Sequence, residues 1–117
     1  MLWRAGKVLL LRRSANDKWL PHAWTLPGGY VEAGESAKAA AIRECFEEAS
    51  ISPKSIHLVQ KVPTPHCLLH FFSAEAGDGE IKLSPEDDDY AWALPDCLDN
   101  YVLAPLIKQA INTGGSL

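Results

Sequence analysis

The sequence has no long hydrophobic run, and no stretch approaches the ~18 apolar residues that a membrane-spanning helix needs. The first residues also lack the apolar segment of a signal peptide. Cysteine is scarce, and no two cysteines form the CxxC pair that is typical of a zinc site or a disulfide framework. The three cysteines are Cys45, Cys67 and Cys97. These absences predict a cytoplasmic protein with reduced thiols and no membrane partner.

Basic clusters are equally scarce, since the longest run of basic residues is Arg12-Arg13. The 117 residues contain 15 acidic and 11 basic side chains, which gives a net charge of −4. Proteins that track the phosphates of a duplex usually present a basic patch. We therefore expect no duplex nucleic acid as a partner. A small phosphorylated substrate remains compatible with this charge if a cation accompanies it.

The composition that is present, with 47% apolar and 22% charged residues, is that of one globular domain spanning residues 1–117. Apolar patterning and turn residues predict a mixture of strands and helices with a helix between strands, and therefore an α/β or α+β fold with a mixed sheet covered by helices. The predicted strands are 7–13, 24–26, 55–62, 67–76, 80–83 and 90–94. Helices are predicted over 36–49 and near the C-terminus, where the apolar stripe is Leu103, Leu106, Ile107, Ala110 and Ile111.

The helix over 36–49 has an N-capping serine, Ser36, and contains no glycine or proline. Apolar residues at spacings of 3, 4 and 3 predict its buried face, which consists of Ala39, Ile42, Phe46 and Ala49.

Three acids at helical spacing are the unusual feature of this helix. Glu44 lies i,i+3 from Glu47 and i,i+4 from Glu48, and such like-charge pairs destabilise a helix by a few tenths of a kcal/mol each. They also lie in the C-terminal half, where the helix dipole disfavours negative charge. A bound divalent cation reverses this cost, because Mg²⁺ is held by clustered carboxylates, water and substrate phosphate. The alternative is a solvated acidic face in which Arg43 pairs with Glu47.

Residues 29–51, GYVEAGESAKAAAIRECFEEASI, favour the first interpretation. They closely resemble the box of the Nudix hydrolase family, G-x5-E-x7-R-E-U-x-E-E-x-G-U, where U is a bulky aliphatic residue. The preceding WTLPGG resembles the usual lead-in, and Leu83-Ser84-Pro85-Glu86, followed by Trp92, resembles a later loop and strand. The resemblance implies an α/β/α sandwich around a mixed sheet. The matching positions are Gly29, Glu35, Arg43, Glu44, Glu47, Glu48 and Ile51.

Three features depart from the family pattern. Cys45 replaces an aliphatic residue and is a comparable small hydrophobe. Ser50 replaces the glycine that caps the helix in a left-handed conformation, which costs a residue with a Cβ roughly 1 kcal/mol. Because the sequence starts at Met1-Leu2, we also expect the first strand of the family to be truncated or absent here. We expect the resulting sheet edge to be exposed or covered by a partner chain, and hence a weak homodimer.

The resemblance implies a hydrolase that cleaves a nucleoside diphosphate linked to another group, with Mg²⁺, or Mn²⁺ as the alternative, as its cofactor. Glu44 and Glu48 are the first candidate metal ligands, and Glu47 is a third ligand or the base. Arg43 orients a carboxylate, with Glu47 as the expected partner. These four residues are the catalytic candidates. The remaining candidate ligands are Glu35, the backbone carbonyl of Gly29, and the loop acid Glu86 with its neighbours Asp87, Asp88 and Asp89.

Candidate substrate contacts are Arg12 for a phosphate, with Arg13 and Lys18 as alternatives, and Tyr30 and Tyr90 for a base. The expected substrate is a small nucleotide, either an NTP or dNTP of the MutT type or a dinucleoside polyphosphate. Two other functions are alternatives: a Nudix-like nucleotide sensor without turnover and an acidic-helix interaction module. The intact acids argue against the first, and the lead-in glycines with Glu35 argue against the second.

Overall fold

The computed structural model describes residues 1–114, so the last three residues of the predicted domain lie outside the described part. A mixed sheet lies between two helices, as the sequence predicted. None of the helices in residues 1–114 is long and apolar enough to cross a membrane. The elements are β1 (Leu2–Arg4), β2 (Lys7–Arg13), β3 (Trp24–Thr25), α1 (Ala37–Ala49), β4 (Lys54–Pro63), β5 (Leu68–Glu75), β6 (Asp87–Ala93), a 3-10 helix (Pro95–Asn100) and α2 (Ile107–Gly114).

The sheet has the strand order β3-β2-β1-β5-β4, and β6 pairs with β2. β1 and β2 form a tight antiparallel hairpin whose two turn residues, Ala5 and Gly6, have φ values of 50° and 78°. This left-handed pair matches the twist of the flanking strands. β1 then pairs in parallel with β5, whereas β2 with β6 and β4 with β5 are antiparallel. The sheet is therefore mixed.

The first strand of the family, which we expected to be truncated or absent, is present as the short β1, and it lies inside the sheet between β2 and β5. Its pairing with β5 is limited to Leu2 with Ala74 and Trp3 with Glu75. The preceding residues of β5 thus have β4 as their strand partner on one side, within the described part of the chain. The weak homodimer stays a prediction.

Four consecutive leucine or valine residues of β2 are completely buried, because both faces of this strand are covered. Alternate side chains point to opposite faces of a sheet. Leu9 and Leu11 pack in a core with Cys45 and Ala49 of α1, and Val8 and Leu10 pack in a second core with α2. The short apolar run is therefore a central strand with one hydrophobic core on each side.

The predicted buried face of α1 is wrong for three of its four residues. Ala49 is fully buried, but Ala39 is exposed, and Ile42 and Phe46 are 39% and 59% exposed. The helix turns Ala40, Cys45, Glu48 and Ala49 inward instead. A carboxylate thus occupies a buried position while two large apolar side chains face outward.

The ends of α1 agree better with the prediction made from the sequence. Ser36 caps the N-terminus, since its hydroxyl accepts a hydrogen bond from the backbone N–H of Ala39 at 3.1 Å. Ser50 adopts the left-handed conformation with φ 61°, and its N–H bonds to the carbonyls of Cys45 and Phe46. Its hydroxyl also donates to the carbonyl of Lys82 at 3.2 Å. The serine therefore retains the cap geometry that the glycine of the motif provides.

Other differences concern short or irregular segments. No strand forms over 80–83, and the 3-10 helix and β1 were not predicted. The C-terminal helix begins at Ile107, so Leu103 and Leu106 of the predicted stripe precede it. Leu106 has left-handed backbone with φ 72°. Leu103 forms an isolated β-bridge with Trp24. β6 begins three residues earlier than expected, at Asp87.

Candidate active site

Glu48 is held against the loop that precedes α1. Its carboxylate accepts a hydrogen bond of 2.6 Å from the backbone N–H of Gly28, and the residue is only 9% exposed. Burial raises the pKa of Glu48 to about 8, and the negative charges of Asp87, Glu44 and Glu86 add to this effect. A buried acid surrounded by other acids is costly unless a positive charge compensates it.

Arg43 connects the acids of the box and the loop before it. Its guanidinium donates to both carboxylate oxygens of Glu35, at 2.9 and 3.1 Å, and to Glu44 at 2.7 Å. It also donates to Glu47 and to the backbone carbonyl of Tyr30, at 3.1 and 3.0 Å. These bonds hold the pKa of Glu35 below and that of Arg43 above their ordinary values.

The expected pairing of Arg43 with Glu47 is therefore present, but Glu35 is its principal partner. The paired, fork-like bonds to Glu35 are of the stronger kind, because two charged groups meet through two N–H donors. Glu35 thus anchors the arginine from the loop side, and Arg43 in turn orients Glu44 and Glu47. A ligand role of Glu35 remains a prediction.

Gly29 lies against the carboxylate of Glu44. A Cβ atom at this position would stand 2.6 Å from the carboxyl carbon of Glu44, whereas one at Gly28 would meet nothing within 4 Å. Gly29 is therefore required so that the side chain of Glu44 can lie directly on the loop backbone. This steric reason adds to the predicted role of its carbonyl.

The acidic run 86–89 presents one buried carboxylate, and it belongs to Asp87 rather than to Glu86. Asp87 is 7% exposed, its Oδ2 atom has no hydrogen-bond partner among residues 1–114, and burial raises its pKa to about 6. Glu86, the predicted loop ligand, is exposed. Asp87 and Glu86 both raise the pKa of Glu48, so both lie in its electrostatic range. The register of β6 against β2, which sets Asp87 opposite Arg13, decides this orientation.

A cavity of about 630 Å³ borders the loop that Glu48 and Glu44 contact. Gly28 and Gly29, which contact Glu48 and Glu44, are part of its wall. The first half of β5 also lines the cavity, with Leu69 and Phe71 among its side chains. The volume falls within the range of roughly 300–1,000 Å³ that small-molecule sites occupy. The elements thus place an apolar cleft next to an acidic cluster.

Of the three predicted substrate contacts, Tyr30 alone lines this cavity, and its side chain is 88% exposed. Arg12 forms a 2.6 Å ion pair with Asp88 and lies 5.8 Å from the ring of Trp24. Tyr90 lies on β6, is 41% exposed and does not border the cavity. The neighbour of Arg12, Arg13, does line it. Sequence alone could not decide between the two arginines, which point to opposite faces of one strand.

The donor set fits a hard divalent cation, because it consists of clustered carboxylates whose negative charge exceeds the positive charge of the basic groups beside them. In residues 1–114, however, no three His, Cys, Asp or Glu side chains converge into a ready-made site. The reason is visible in the hydrogen bonds: Arg43 holds Glu44 and Glu47, and Gly28 holds Glu48. Cation binding therefore requires these side chains to exchange their present partners.

Comparison with known proteins agrees with this site. The family model described as NUDIX domain matches residues 1–111. The NAD-capped RNA hydrolase NudC of Pectobacterium carotovorum subsp. carotovorum (strain PC1) is 34% identical over 92 residues, which are 76% of this chain and 35% of that protein. NudC of Stutzerimonas stutzeri (strain A1501) is 38% identical over 90 residues, or 74% of this chain and 32% of that protein. The chain thus spans about a third of the length of these curated relatives.

Among solved structures, the MutT protein from Methanosarcina mazei Go1 superposes with a TM-score of 0.74 at 28% sequence identity. The match covers 96% of this chain and 86% of the MutT chain. The mixed sheet, the box on α1 and the family model over residues 1–111 agree with one another. The chain is therefore a member of the Nudix hydrolase family, whose enzymes act on phosphorus-containing anhydrides.

Proposed function

We propose that this chain is a Mg²⁺-dependent pyrophosphohydrolase that acts on a dinucleotide with a diphosphate bridge, the class to which NAD belongs. The observation that carries the chemistry is the buried Glu48 among the charges of Asp87, Glu44 and Glu86, held to the backbone of Gly28, which lines the cavity. The substrate class is supported by the curated relatives, which are named NAD-capped RNA hydrolases. An NTP or dNTP is the second candidate substrate.

In the proposed reaction, water adds across one P–O–P bond, and the two products are mononucleotides. Glu44, Glu48 and Asp87 would hold the cation, which when bound neutralises phosphate charge and lowers the pKa of water. Glu47 has the most exposed carboxylate of the acids that Arg43 binds within α1, with 54% of its side chain accessible. We assign it the role of the base, because water reaches it, and we assign Arg43 the role of positioning it.

In this proposal the cavity binds the base and the diphosphate of the substrate. Its apolar wall, formed by β5 and by Leu26, suits the flat face of a base or a nicotinamide. Tyr30 stands at the exposed side, where its ring is free to stack on a bound base. The diphosphate then lies toward Gly28 and Gly29, next to the acids.

The test is a turnover panel of NAD, ADP-ribose, dinucleoside polyphosphates, NTPs and dNTPs, measured with Mg²⁺ and with a chelator. We expect metal-dependent cleavage of NAD with the highest kcat/KM of the panel. Glu48→Gln should abolish this turnover, and Glu75→Gln, which changes an exposed carboxylate on β5, should leave it unchanged.

Three outcomes would contradict different parts of the proposal. A higher kcat/KM for an NTP or dNTP would overturn the substrate class and keep the chemistry. Absence of turnover across the panel, with nucleotide binding seen by calorimetry, would overturn the enzyme and support a nucleotide sensor. An unaltered rate in Glu48→Gln would refute the assignment of Glu48.

A further inference from the structure

The C-terminal end of α1 is bonded to residues 79–84, which connect β5 with β6 and are called the capping segment below. The backbone N–H groups of Lys82 and Ser84 donate to the carbonyls of Ala49 and Glu48, each at 3.1 Å. The last carbonyls of a helix have no partner within the helix itself. The capping segment therefore supplies hydrogen bonds that the end of α1 needs.

A third bond between the same two parts comes from a side chain. The hydroxyl of Ser50 donates to the carbonyl of Lys82 at 3.2 Å, so Lys82 is bonded to the end of α1 through both its backbone N–H and its backbone carbonyl. The family motif has glycine at this position, and glycine has no side chain to make this bond. The serine thus adds a contact that the helix cap alone does not require.

Ser50 makes this contact from an unfavourable backbone conformation. Its φ of 61° lies in the left-handed region, where a Cβ atom crowds the neighbouring carbonyl oxygen. Residues that keep such a conformation are held there by their surroundings, and they cluster at functional sites. The strained serine is therefore a reason to ask what its hydroxyl positions.

The capping segment leads directly into the turn that carries Asp87. The backbone N–H of Asp87 donates to the carbonyl of Ser84 at 3.2 Å. Asp87 is buried, its Oδ2 atom has no hydrogen-bond partner among residues 1–114, and it lies in the electrostatic range of Glu48. Two carboxylates of the candidate cation site thus come from two backbone segments, which the three bonds at the end of α1 hold together.

The start of the capping segment is fixed by other residues. The guanidinium of Arg4 donates to the carbonyls of Gly77 and Gly79, both at 2.6 Å, and Ile81 is buried in the same core as Ile51. These contacts precede Lys82 in the chain. The bond from Ser50 acts later, just before the chain turns toward Asp87.

We propose that Ser50 is a positioning residue, whose hydroxyl sets the separation of Asp87 from Glu48 by fixing Lys82. A divalent cation then meets both carboxylates on a backbone that is already ordered, so that binding requires less rearrangement. This inference rests on the proposed function for the role of the two acids as cation ligands.

The test compares Ser50→Gly and Ser50→Ala with the wild type, in the full chain. Both variants lose the hydroxyl, but glycine accepts the left-handed conformation and alanine does not. In urea denaturation with a chelator, Ser50→Gly should therefore have the higher midpoint of the two. Mg²⁺ affinity, measured by calorimetry, should fall by about 3- to 10-fold in both, as expected for the loss of one neutral hydrogen bond.

Amide hydrogen exchange in the metal-free chain reports the contact without any activity. The amides of Lys82 and Ser84 should exchange about 3- to 10-fold faster in Ser50→Gly, while those of β2 exchange at the wild-type rate. Ser55→Gly is the matched control, because it makes the same change at an exposed serine of β4 whose φ is 54°. This control should keep the wild-type Mg²⁺ affinity and the wild-type exchange at Lys82.

Turnover gives a further readout that a helix cap alone would not change. For the preferred substrate, Ser50→Gly should be slower at limiting Mg²⁺ by the factor lost in Mg²⁺ affinity, and saturating Mg²⁺ should restore the rate. The KM of the nucleotide should change less than about twofold, because the residues that line the cavity are unaltered.

Wild-type Mg²⁺ affinity in Ser50→Gly would overturn the inference. So would a loss confined to Ser50→Ala, because Ser50 would then be a helix cap and nothing more. Unchanged exchange at Lys82 and Ser84 would overturn it as well. If Ser50→Ala does not fold, the comparison of Ser50→Gly with Ser55→Gly decides. A wild type that binds Mg²⁺ but cleaves no member of the panel would overturn the proposed function, whereas the affinity and exchange measurements would still decide the role of Ser50.

Discussion

Removal of the charge of Glu48 should stabilise the chain at high pH when no metal is present. Burial and neighbouring acids raise the pKa of this carboxyl from 4.5 to about 8. The folded state therefore binds the proton more tightly than the unfolded state. Stability from this group is fully present below pH 4.5 and is lost as the pH rises toward 8.

The size of the effect follows from the same two pKa values. Each unit of difference corresponds to ~1.36 kcal/mol, so the unfolding free energy of the metal-free chain should fall by about 3–4 kcal/mol between pH 5 and pH 8. Glu48→Gln retains an oxygen that accepts from Gly28 but carries no charge. It should lose most of this pH dependence and be the more stable protein at pH 8, by up to about 4 kcal/mol.

Urea denaturation in a chelating buffer at pH 5, 6.5 and 8 measures this directly. Glu47→Gln is the matched control, because it removes an adjacent charge whose side chain is 54% exposed, and it should follow the wild type. Added Mg²⁺ should stabilise the wild type at pH 8 and leave Glu48→Gln nearly unchanged. Parallel stability profiles for the wild type and Glu48→Gln would refute the reasoning, since they would show that Glu48 ionises without cost in the folded chain.

Two further substitutions test the geometry around the acids. Gly29→Ala should lower kcat/KM by about 10- to 100-fold, because its Cβ would meet the carboxyl of Glu44 at 2.6 Å, and Gly28→Ala, with open space around it, should be the milder change. A loss in Gly28→Ala equal to that in Gly29→Ala would refute the steric argument. Asp87→Asn should weaken Mg²⁺ binding, measured by calorimetry, by about tenfold or more, whereas Glu86→Gln should change it little. The reverse order would return the ligand role to Glu86.

The ends of α1 could be predicted from the sequence because they depend on local chemistry. Ser36 caps the helix through its own hydroxyl, and Ser50 ends it in the left-handed conformation. The buried face could not be predicted in the same way. Hydrophobic spacing selects Ile42 and Phe46, but the helix turns Glu48 toward Gly28. The contact between Glu48 and the loop before the helix, rather than the apolar spacing, therefore determines which face of α1 is buried.

The partners within the site needed the tertiary structure. The i,i+4 rule identifies Glu47 as the partner of Arg43, but the loop residue Glu35 makes the bidentate contact. Four consecutive acids follow Pro85, and nothing in their spacing distinguishes Asp87 from Glu86. The pairing of β6 with β2 sets Asp87 inward, and that pairing joins segments far apart in the chain.

The small size of β1 limits the backbone pairing between two parts of the sheet. β4 and β5 are paired along nearly their whole length, whereas the register of β5 with β1 comprises Leu2 and Trp3, next to the hydrogen bonds of Met1 with Phe72 and Ala74. Amide hydrogens of the β4–β5 hairpin should then exchange as one group, through an opening that leaves β2 and β6 protected. Because the first half of β5 is one wall of the cavity, this opening also changes the cavity's width. We therefore expect the shortness of β1 to influence how wide the cavity opens and which ligands it accepts.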